Sequence, residues 1–499
     1  MCDDALRRRG LSIACMRDHD VGQTYSVQCT PSCMMQVPGD IDPRPYQEAA
    51  IGAWMDAGGQ GILSMATGTG KTITALAAAA RLADLQDGRL QLVVVAPYTH
   101  LVDQWADAAR SFGAEPILAA GSRHLWTDDL VSALTGYRLG TRDAVSVITT
   151  LDTFAGDAFQ SVLGRFEGHR TLLIGDEVHH MGRPSVRRVL PEPVRARLGL
   201  SATPRRFHDE AGTDGLLGYF TGGIVYEYGI DAAIEAGYLT PYHYVPHIIE
   251  LTDEEADRYV DISRRLGRRL AAGADLDEDE GVEHLLFRRA RLVAAAAGKL
   301  TVLRRLLEAT DDHRHSLVYC GDGRIGTEDD GEGDRQIDAV TRMVGRELDI
   351  ATHRFTYSED QAERRRLLAG FDEGDIEVLV AIRCLDEGVD VPATRTAYIL
   401  ASTTNPRQFI QRRGRILRRH PGKRTALIHD FVVRPPARRL RGVGDDLFDL
   451  ERTLVRREVR RVRTFERSAL NHPDAPPQGV PTTPGSVTDL QTEFRLHDT

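Results

Sequence analysis

Apolar runs of about four to six residues recur along this chain, each bounded by glycine or polar residues and followed by a longer stretch with helical spacing. Runs this short and this rich in Val, Ile and Leu read as strands buried on both faces, the mark of a parallel sheet covered by helices. Between Pro43 and about Val225 they are Gly61 to Met65, Leu92 to Ala96, Ala144 to Thr149, Thr171 to Ile174 and Arg197 to Leu200. The pattern returns between Ser316 and Val433, with Leu317 to Cys320, Val378 to Ile382, Thr396 to Leu400 and Thr425 to Ile428. Strand and helix alternating in this way predict βαβ units. The expected fold class is therefore α/β, two tandem lobes with parallel sheets. The expected division is an N-terminal extension (1–39), a first lobe (40–246), a helical connector (247–310), a second lobe (311–435) and a C-terminal segment (436–499).

Leu251 to Thr310 carries helical spacing and many charges, including the Ala-rich stretch Ala290 to Leu300. Two readings stay open for it, an inserted element that grips a ligand and a packed spacer. Gly321 to Asp334 is glycine-rich and acidic without the spacing of a calcium loop, so a solvated loop is expected. Farther on, Leu450, Leu454, Val455, Val459, Val462 and Phe465 sit at spacings that put most of them on one helical face, with seven arginines between Arg452 and Arg467. That pattern predicts a helix docked on the second lobe. The Pro- and Thr-rich tail from Asn471 reads as disordered.

The 499 residues, 41% hydrophobic and 27% charged, have the balance of a globular chain with adequate cores. A formal charge of -10 excludes a uniformly basic coat, so any grip on phosphates must come from local basic surfaces. No 18-residue apolar run occurs, and Leu11 to Met16 is too short for the core of a signal peptide, so no membrane partner and a cytoplasmic location are expected. Six cysteines, with Cys320 and Cys384 in apparent core strands, do not form a disulfide framework. Cys2, Cys15, Cys29 and Cys33 with His19 would be enough to ligate zinc, but only Cys29 and Cys33 are closely spaced and no second pair answers them. A plain extension without metal is expected there.

The sharpest chemical signal is Met65-Ala66-Thr67-Gly68-Thr69-Gly70-Lys71-Thr72, set between an expected strand and an Ala-rich helix. Strand, glycine loop and helix in that order form a phosphate cradle. The glycines turn backbone N–H groups inward, and the helix directs its positive end at the same anion. Lys71 would reach the β- and γ-phosphates of ATP, and Thr72 would supply a hydroxyl to Mg²⁺. About a hundred residues later, Thr171-Leu172-Leu173-Ile174-Gly175 runs into Asp176-Glu177-Val178-His179. A buried strand ending in Asp-Glu lets Asp176 hold Mg²⁺ and Glu177 orient the attacking water.

With these two motifs the chain resembles the DExH-type superfamily 2 helicases, and further motifs follow in order from Arg44 to Val433. The resemblance implies two RecA-like lobes that hydrolyse ATP between them and move along nucleic acid. Arg44-Pro45-Tyr46-Gln47 is similar to the Q motif, which implies that Gln47 reads adenine. Pro97 with Leu101 to Trp105, and Thr149-Thr150, resemble segments that hold one nucleic-acid strand, and Ser201-Ala202-Thr203 resembles the motif coupling the ATP site to that strand. Asp386-Glu387-Gly388-Val389-Asp390 is similar to motif V, which implies that Gly388 approaches nucleic acid and Asp390 the ribose. Gln411-Arg412-Arg413-Gly414-Arg415-Ile416-Leu417-Arg418 matches motif VI, implying that Arg415 and Arg418 are arginine fingers and that Gln411 faces the nucleotide. Eight basic residues and no acid between Thr403 and Arg424 argue against a merely solvated face.

Tyr219-Phe220-Thr221-Gly222-Gly223 through Tyr238-Leu239-Thr240-Pro241-Tyr242 resembles XPB-type repair helicases and the motor subunits of type III restriction enzymes. The connector, with Leu251-Thr252-Asp253-Glu254-Glu255 and Lys299, is similar to Swi/Snf-type translocases. Gly175 replaces a large aliphatic residue usual before the Asp-Glu pair, which is expected to alter strand packing rather than chemistry. The expected partner is DNA, with RNA as the alternative and an ATP-gated clamp without turnover as a third reading. No nuclease motif is present, so cleavage or targeting would fall to a partner subunit, a nuclease or methyltransferase.

Overall fold

A computed structural model describes residues 35–206, 209–273, 279–321, 323–325, 334–356, 358–382, 391–401, 405–436, 439, 445–472, 486–494 and 496. The first lobe holds seven strands: β1 (Gln60–Met65), β2 (Leu90–Ala96), β3 (Pro116–Ala119), β4 (Ala144–Thr150), β5 (Thr171–Gly175), β6 (Ala196–Ser201) and β7 (Ile224–Tyr228). They form one parallel sheet in the order β3-β4-β2-β5-β6-β1-β7. Every residue of β2 and β5 is buried, as expected of strands covered by helices on both sides. The helix Lys71–Leu85 presents Ala75 to Ala80 and Ala83 to the core, small side chains that let it lie close on the sheet. Trp54 on the helix Pro45–Asp56 is fully buried and satisfies its indole N–H on the Arg197 carbonyl at 3.0 Å.

The second lobe contains β8 (Tyr242–Glu250), β9 (Ser316–Cys320), a small antiparallel ribbon of β10 (Arg324–Ile325) and β11 (Asp334–Arg335), then β12 (Thr352–Phe355), β13 (Val378–Ile382), β14 (Thr396–Ile399) and β15 (Ala426–Arg434). Its six-stranded sheet is parallel, in the order β12-β13-β9-β14-β15-β8. The expected lobe boundary at 246 falls inside β8, and this is corrected. Tyr242 through Glu250 pair residue by residue with Ala426 through Arg434, so the chain enters the second sheet before the connector begins.

The connector comprises the helices Asp253–Ala271, Glu280–Ala294 and Gly298–Glu308. Thr252 and Glu255 form a capping box that satisfies two orphan N–H groups at the start of the first. The helix Asp445–Glu466 docks through Val455, Val459, Val462 and Phe465, and Phe465 accepts a hydrogen bond from Tyr242 at 2.5 Å through its carbonyl. The tail departs from its expected disorder where it is described. Asn471 is buried and pairs with the Tyr244 backbone in both directions, and the short helix Ser486–Glu493 buries Leu490, with Phe494 and Leu496 just beyond. Three apolar residues, spaced at four and two, anchor this short helix and the residues just beyond it. One continuous apolar core runs from Tyr46 and Trp54 through Leu239 and Tyr242 to Phe409, Val459 and Leu490.

Candidate active site

The glycine loop follows β1 directly, and Gly68 and Gly70 both adopt positive φ, at 87° and 79°, where a side chain would be strained. Gly70 then caps the helix Lys71–Leu85, so the loop N–H groups and the helix N-terminus converge on one space. Lys71 folds its Nζ back to the Met65 carbonyl at 3.3 Å. Thr69 is fully buried and braces the loop by donating to the Ala66 carbonyl at 2.7 Å, while Thr67, Gly68, Gly70 and Thr72 line the cavity. Thr67 Oγ1 is a buried hydroxyl with no partner among the described residues, the kind of group a bound phosphate would satisfy.

β5 delivers Asp176 and Glu177 beside the loop. Met181 Sδ and Val178 Cγ2 stand 2.5 Å and 3.2 Å from where a Cβ at Gly175 would lie, so Met181 fills the space that a larger residue would take. Glu177 is held in the left-handed region at φ 41°, a costly conformation for a residue with a side chain. Its carboxylate accepts from Ser201 Oγ at 3.4 Å, and Ser201 Oγ in turn lies 3.1 Å from both His179 Nδ1 and the Thr203 N–H. The Ser-Ala-Thr segment is therefore in direct register with the Asp-Glu pair.

Trp105 enters the site by a route that spacing alone does not reveal. Its indole N–H donates to Asp176 Oδ2 at 2.8 Å, while Asp176 Oδ1 accepts from the Glu177 N–H at 2.9 Å. Both carboxylate oxygens are oriented, and each keeps a further lone pair for a cation. The same helix, Thr99–Ser111, begins beside Pro97 and Tyr98, which also line the cavity.

Motif VI runs from the helix Pro406–Ile416 to Arg418 just past its end and faces the loop from the second lobe. Gln411 Nε2 donates to Glu177 Oε2 at 3.2 Å, joining the two lobes at the expected catalytic carboxylate. A Cβ on Gly414 would meet Thr67 Cβ at 2.8 Å, and one on Gly68 would meet Arg418 Cγ at 2.9 Å. Arg415 and Arg418 line the cavity. Arg413 is instead buried against Tyr242 Oη and the Thr464 carbonyl, at 3.2 Å and 2.7 Å, and Arg412 lies over the Tyr319 ring and donates to the Ala401 carbonyl at 2.7 Å. Packing thus divides a run of arginines indistinguishable by composition: Arg413 braces the lobe, Arg415 and Arg418 line the cleft, and Arg412 does both.

Gln47, the expected adenine reader, packs against the phosphate loop. It is buried behind the loop, with Nε2 3.3 Å from the Gly70 carbonyl and Oε1 accepting from the Arg44 N–H at 2.8 Å. Arg44 and Tyr238, stacked at 4.7 Å, line the cavity, and Tyr46 beside them donates its hydroxyl to the Thr69 carbonyl of the loop at 2.6 Å. Thr149 is fully buried, its hydroxyl committed to the Ala119 carbonyl at 2.9 Å, and the Thr150 side chain caps the helix Leu151–Ala155. Gly388 and Asp390, with the rest of motif V, lie outside the described residues, as do Cys2, Cys15, Cys29, Cys33, His19 and Cys384. Cys320 is buried and its thiol pushed up by desolvation.

The cleft encloses about 1420 Å³, ample for a nucleotide with room to spare. Residues 40–206 match the family described as type III restriction enzyme, res subunit, and residues 298–420 match the helicase conserved C-terminal domain. Among curated relatives, the DNA 3'-5' translocase XPB2 of Sulfurisphaera tokodaii is 26% identical over 80% of this chain and 83% of its own length. A putative DNA 3'-5' helicase Rad25 of Halobacterium salinarum is 28% identical over 78% of this chain and 54% of its own. The DNA 3'-5' helicase XPB of Kineococcus radiotolerans is 25% identical over 78% and 60%. This chain thus spans little more than half the length of the latter two. Of solved structures, the ATP-dependent Type ISP restriction-modification enzyme LlaBIII has the same fold, with a TM-score of 0.57 and 16% identity over 92% of this chain and 32% of that one. Two parallel-sheet lobes, a phosphate loop facing an Asp-Glu pair, and both matched domains in order show that this chain carries the paired domains of an ATP-dependent helicase, a res-subunit first lobe and a helicase C-terminal second lobe.

Proposed function

We propose that this chain is a DNA-stimulated ATPase that translocates along DNA or separates its strands. The observation that supports this best is the 3.2 Å hydrogen bond between Gln411 and Glu177, made across the cleft where Lys71, Thr72, Asp176, Arg415 and Arg418 line one cavity. An ATP-gated clamp without turnover has no need of a water-orienting carboxylate and two cleft arginines together. In this reading the loop N–H groups and Lys71 hold the phosphates of ATP, and Arg44 with Tyr238 flanks the base. Thr72 and Asp176 would hold Mg²⁺, which would supply positive charge against the phosphates. Glu177 orients and deprotonates water, while Arg415 and Arg418 offset charge that develops on the transferred phosphoryl group.

The names of the relatives favour DNA over RNA. The Res-type first lobe fits a motor that works beside a nuclease or methyltransferase subunit, and a cytoplasmic setting suits such a partner. Among the described residues no helix is long and apolar enough to cross a membrane. The test compares ATPase rates without nucleic acid and with duplex DNA, single-stranded DNA and single-stranded RNA, at low and moderate salt. Stimulation by DNA that weakens steeply with salt and varies little with base order is expected, because strand contacts go mainly to the backbone. Stimulation by RNA alone would overturn the DNA assignment. Arg415→Ala and Arg418→Ala should each slow stimulated turnover by about 10³-fold or more while nucleotide binding persists.

A further inference from the structure

The connector helix Glu280–Ala294 ends over the carboxyl edge of the second sheet, the edge at which open parallel sheets bind ligands. A Cβ on Gly321, just past β9, would lie 3.2 Å from Ala294 Cβ and 3.3 Å from Ala401 Cβ. The helix is fixed there by polar bonds. Gln336 Nε2 and Lys299 Nζ both donate to the Ala294 carbonyl, at 2.7 Å and 3.2 Å. Arg289 donates at 2.7 Å to the fully buried Glu451 of the C-terminal helix, which also takes Tyr259 Oη at 2.7 Å and Ser263 Oγ at 3.1 Å. With Val282, Leu285 and Arg289 buried, one face of the helix is committed to packing. The opposite face points Phe287, 58% exposed, into the central cleft beside His284, Arg288 and Arg291.

Folding gains little from a phenylalanine left in water on a helix held this firmly. The cavity indicates an occupant: arginines on the same helix as Phe287, Arg412 from motif VI and Tyr98 on the first lobe line it, with the carboxylates Asp176 and Glu177 beside the phosphate loop. An aromatic ring among cations, inside a chain of formal charge -10, is the composition of a stacking platform for a polyanion with flat bases. We propose that Phe287 stacks on a base of a single DNA strand lying in the cleft, with Arg288 and Arg291 meeting the adjoining phosphates. The connector is thereby both a packed spacer on one face and a strand-contacting element on the other. This inference rests on the DNA-motor reading above.

Stacking needs a base and phosphate contact does not, so the test uses single-stranded DNA of one length in two forms, ordinary and with an internal abasic tract. Affinity of the full chain for each is measured by fluorescence anisotropy. Wild type should favour the ordinary strand, and Phe287→Ala should weaken that strand by about tenfold while leaving the abasic strand unchanged. Phe287→Trp should restore the preference. Arg291→Ala should weaken both strands equally and reduce the salt dependence by about one charge. Because Phe287 is exposed, an unaltered melting temperature confirms that the variants fold. Equal affinities of wild type and Phe287→Ala for the ordinary strand would overturn the inference alone, as would a tight complex of the Phe287 face with protein and none with DNA. Failure of the wild type to bind any nucleic acid would overturn the motor reading with it.

Discussion

Glu177 sits at φ 41° with its carboxylate shared among Ser201, Gln411 and the neighbouring His179. Backbone strain at that position is sustained by the polar network around it, which aims one carboxylate into the cleft. Glu177→Gln should keep nucleotide binding and lower turnover by about 10² to 10⁴-fold, the range for losing a general base. Equilibrium binding of a fluorescent ATP analogue, measured beside steady-state hydrolysis, checks this, and loss of binding together with turnover would assign the residue to nucleotide capture instead. Trp105 acts through Asp176, donating its indole N–H to Oδ2 at 2.8 Å. Trp105→Phe keeps most of the buried ring and removes the donor. The Mg²⁺ concentration needed for half-maximal ATPase should rise about tenfold, as for other partners of metal ligands, with kcat recovered at saturating Mg²⁺. A fall in kcat that Mg²⁺ does not relieve would exclude this positioning role.

At the scale of elements, the pairing of β8 with β15 brings His247 against His429, with Nε2 and Nδ1 2.9 Å apart and the His429 ring stacked on Tyr398. Burial pushes His429 down to about 3 from its ordinary 6.5, and the neighbouring His247 adds to the effect. Between those two values the unfolded chain takes up a proton that the folded chain refuses, so stability is complete above about pH 6.5 and is lost as pH falls toward 3. The melting temperature should therefore drop between pH 7 and pH 5, and His429→Leu should flatten that drop even if it lowers stability at pH 7. An unchanged slope in the variant would show that other groups carry the acid sensitivity. The same strand pairing explains why β8 belongs to the second lobe. Nine consecutive residues of ladder outweigh its place in the chain next to the first lobe.

In the molecule as a whole, the two lobes meet in a closed contact that depends on absent side chains. Gly414 approaches Thr67 and Gly68 approaches Arg418 more closely than any Cβ permits. Gly414→Ala should prop the cleft open, an overpacking cost of about 1–3 kcal/mol that appears as roughly tenfold slower DNA-stimulated turnover. ATP binding to the loop should change far less, because Gly414 belongs to the opposite lobe. Undiminished stimulated turnover in this variant would mean that the closed contact is not on the reaction path.

The chain by itself determined the two α/β lobes, the phosphate loop, the Asp-Glu pair and the arginine-rich motif. Each of these is local, a short apolar run or a fixed spacing that carries its own chemistry. Tertiary structure alone decided which of Arg412, Arg413, Arg415 and Arg418 faces the cleft, since that depends on Tyr242, Thr464 and Tyr319, each more than 45 residues distant. It also turned Gln47 to the loop and Thr149 inward, and it bound Trp105 to Asp176 across 71 residues. Hydrogen bonds of such reach follow no period in the sequence, because they form only after the sheets have set the distances between strand ends.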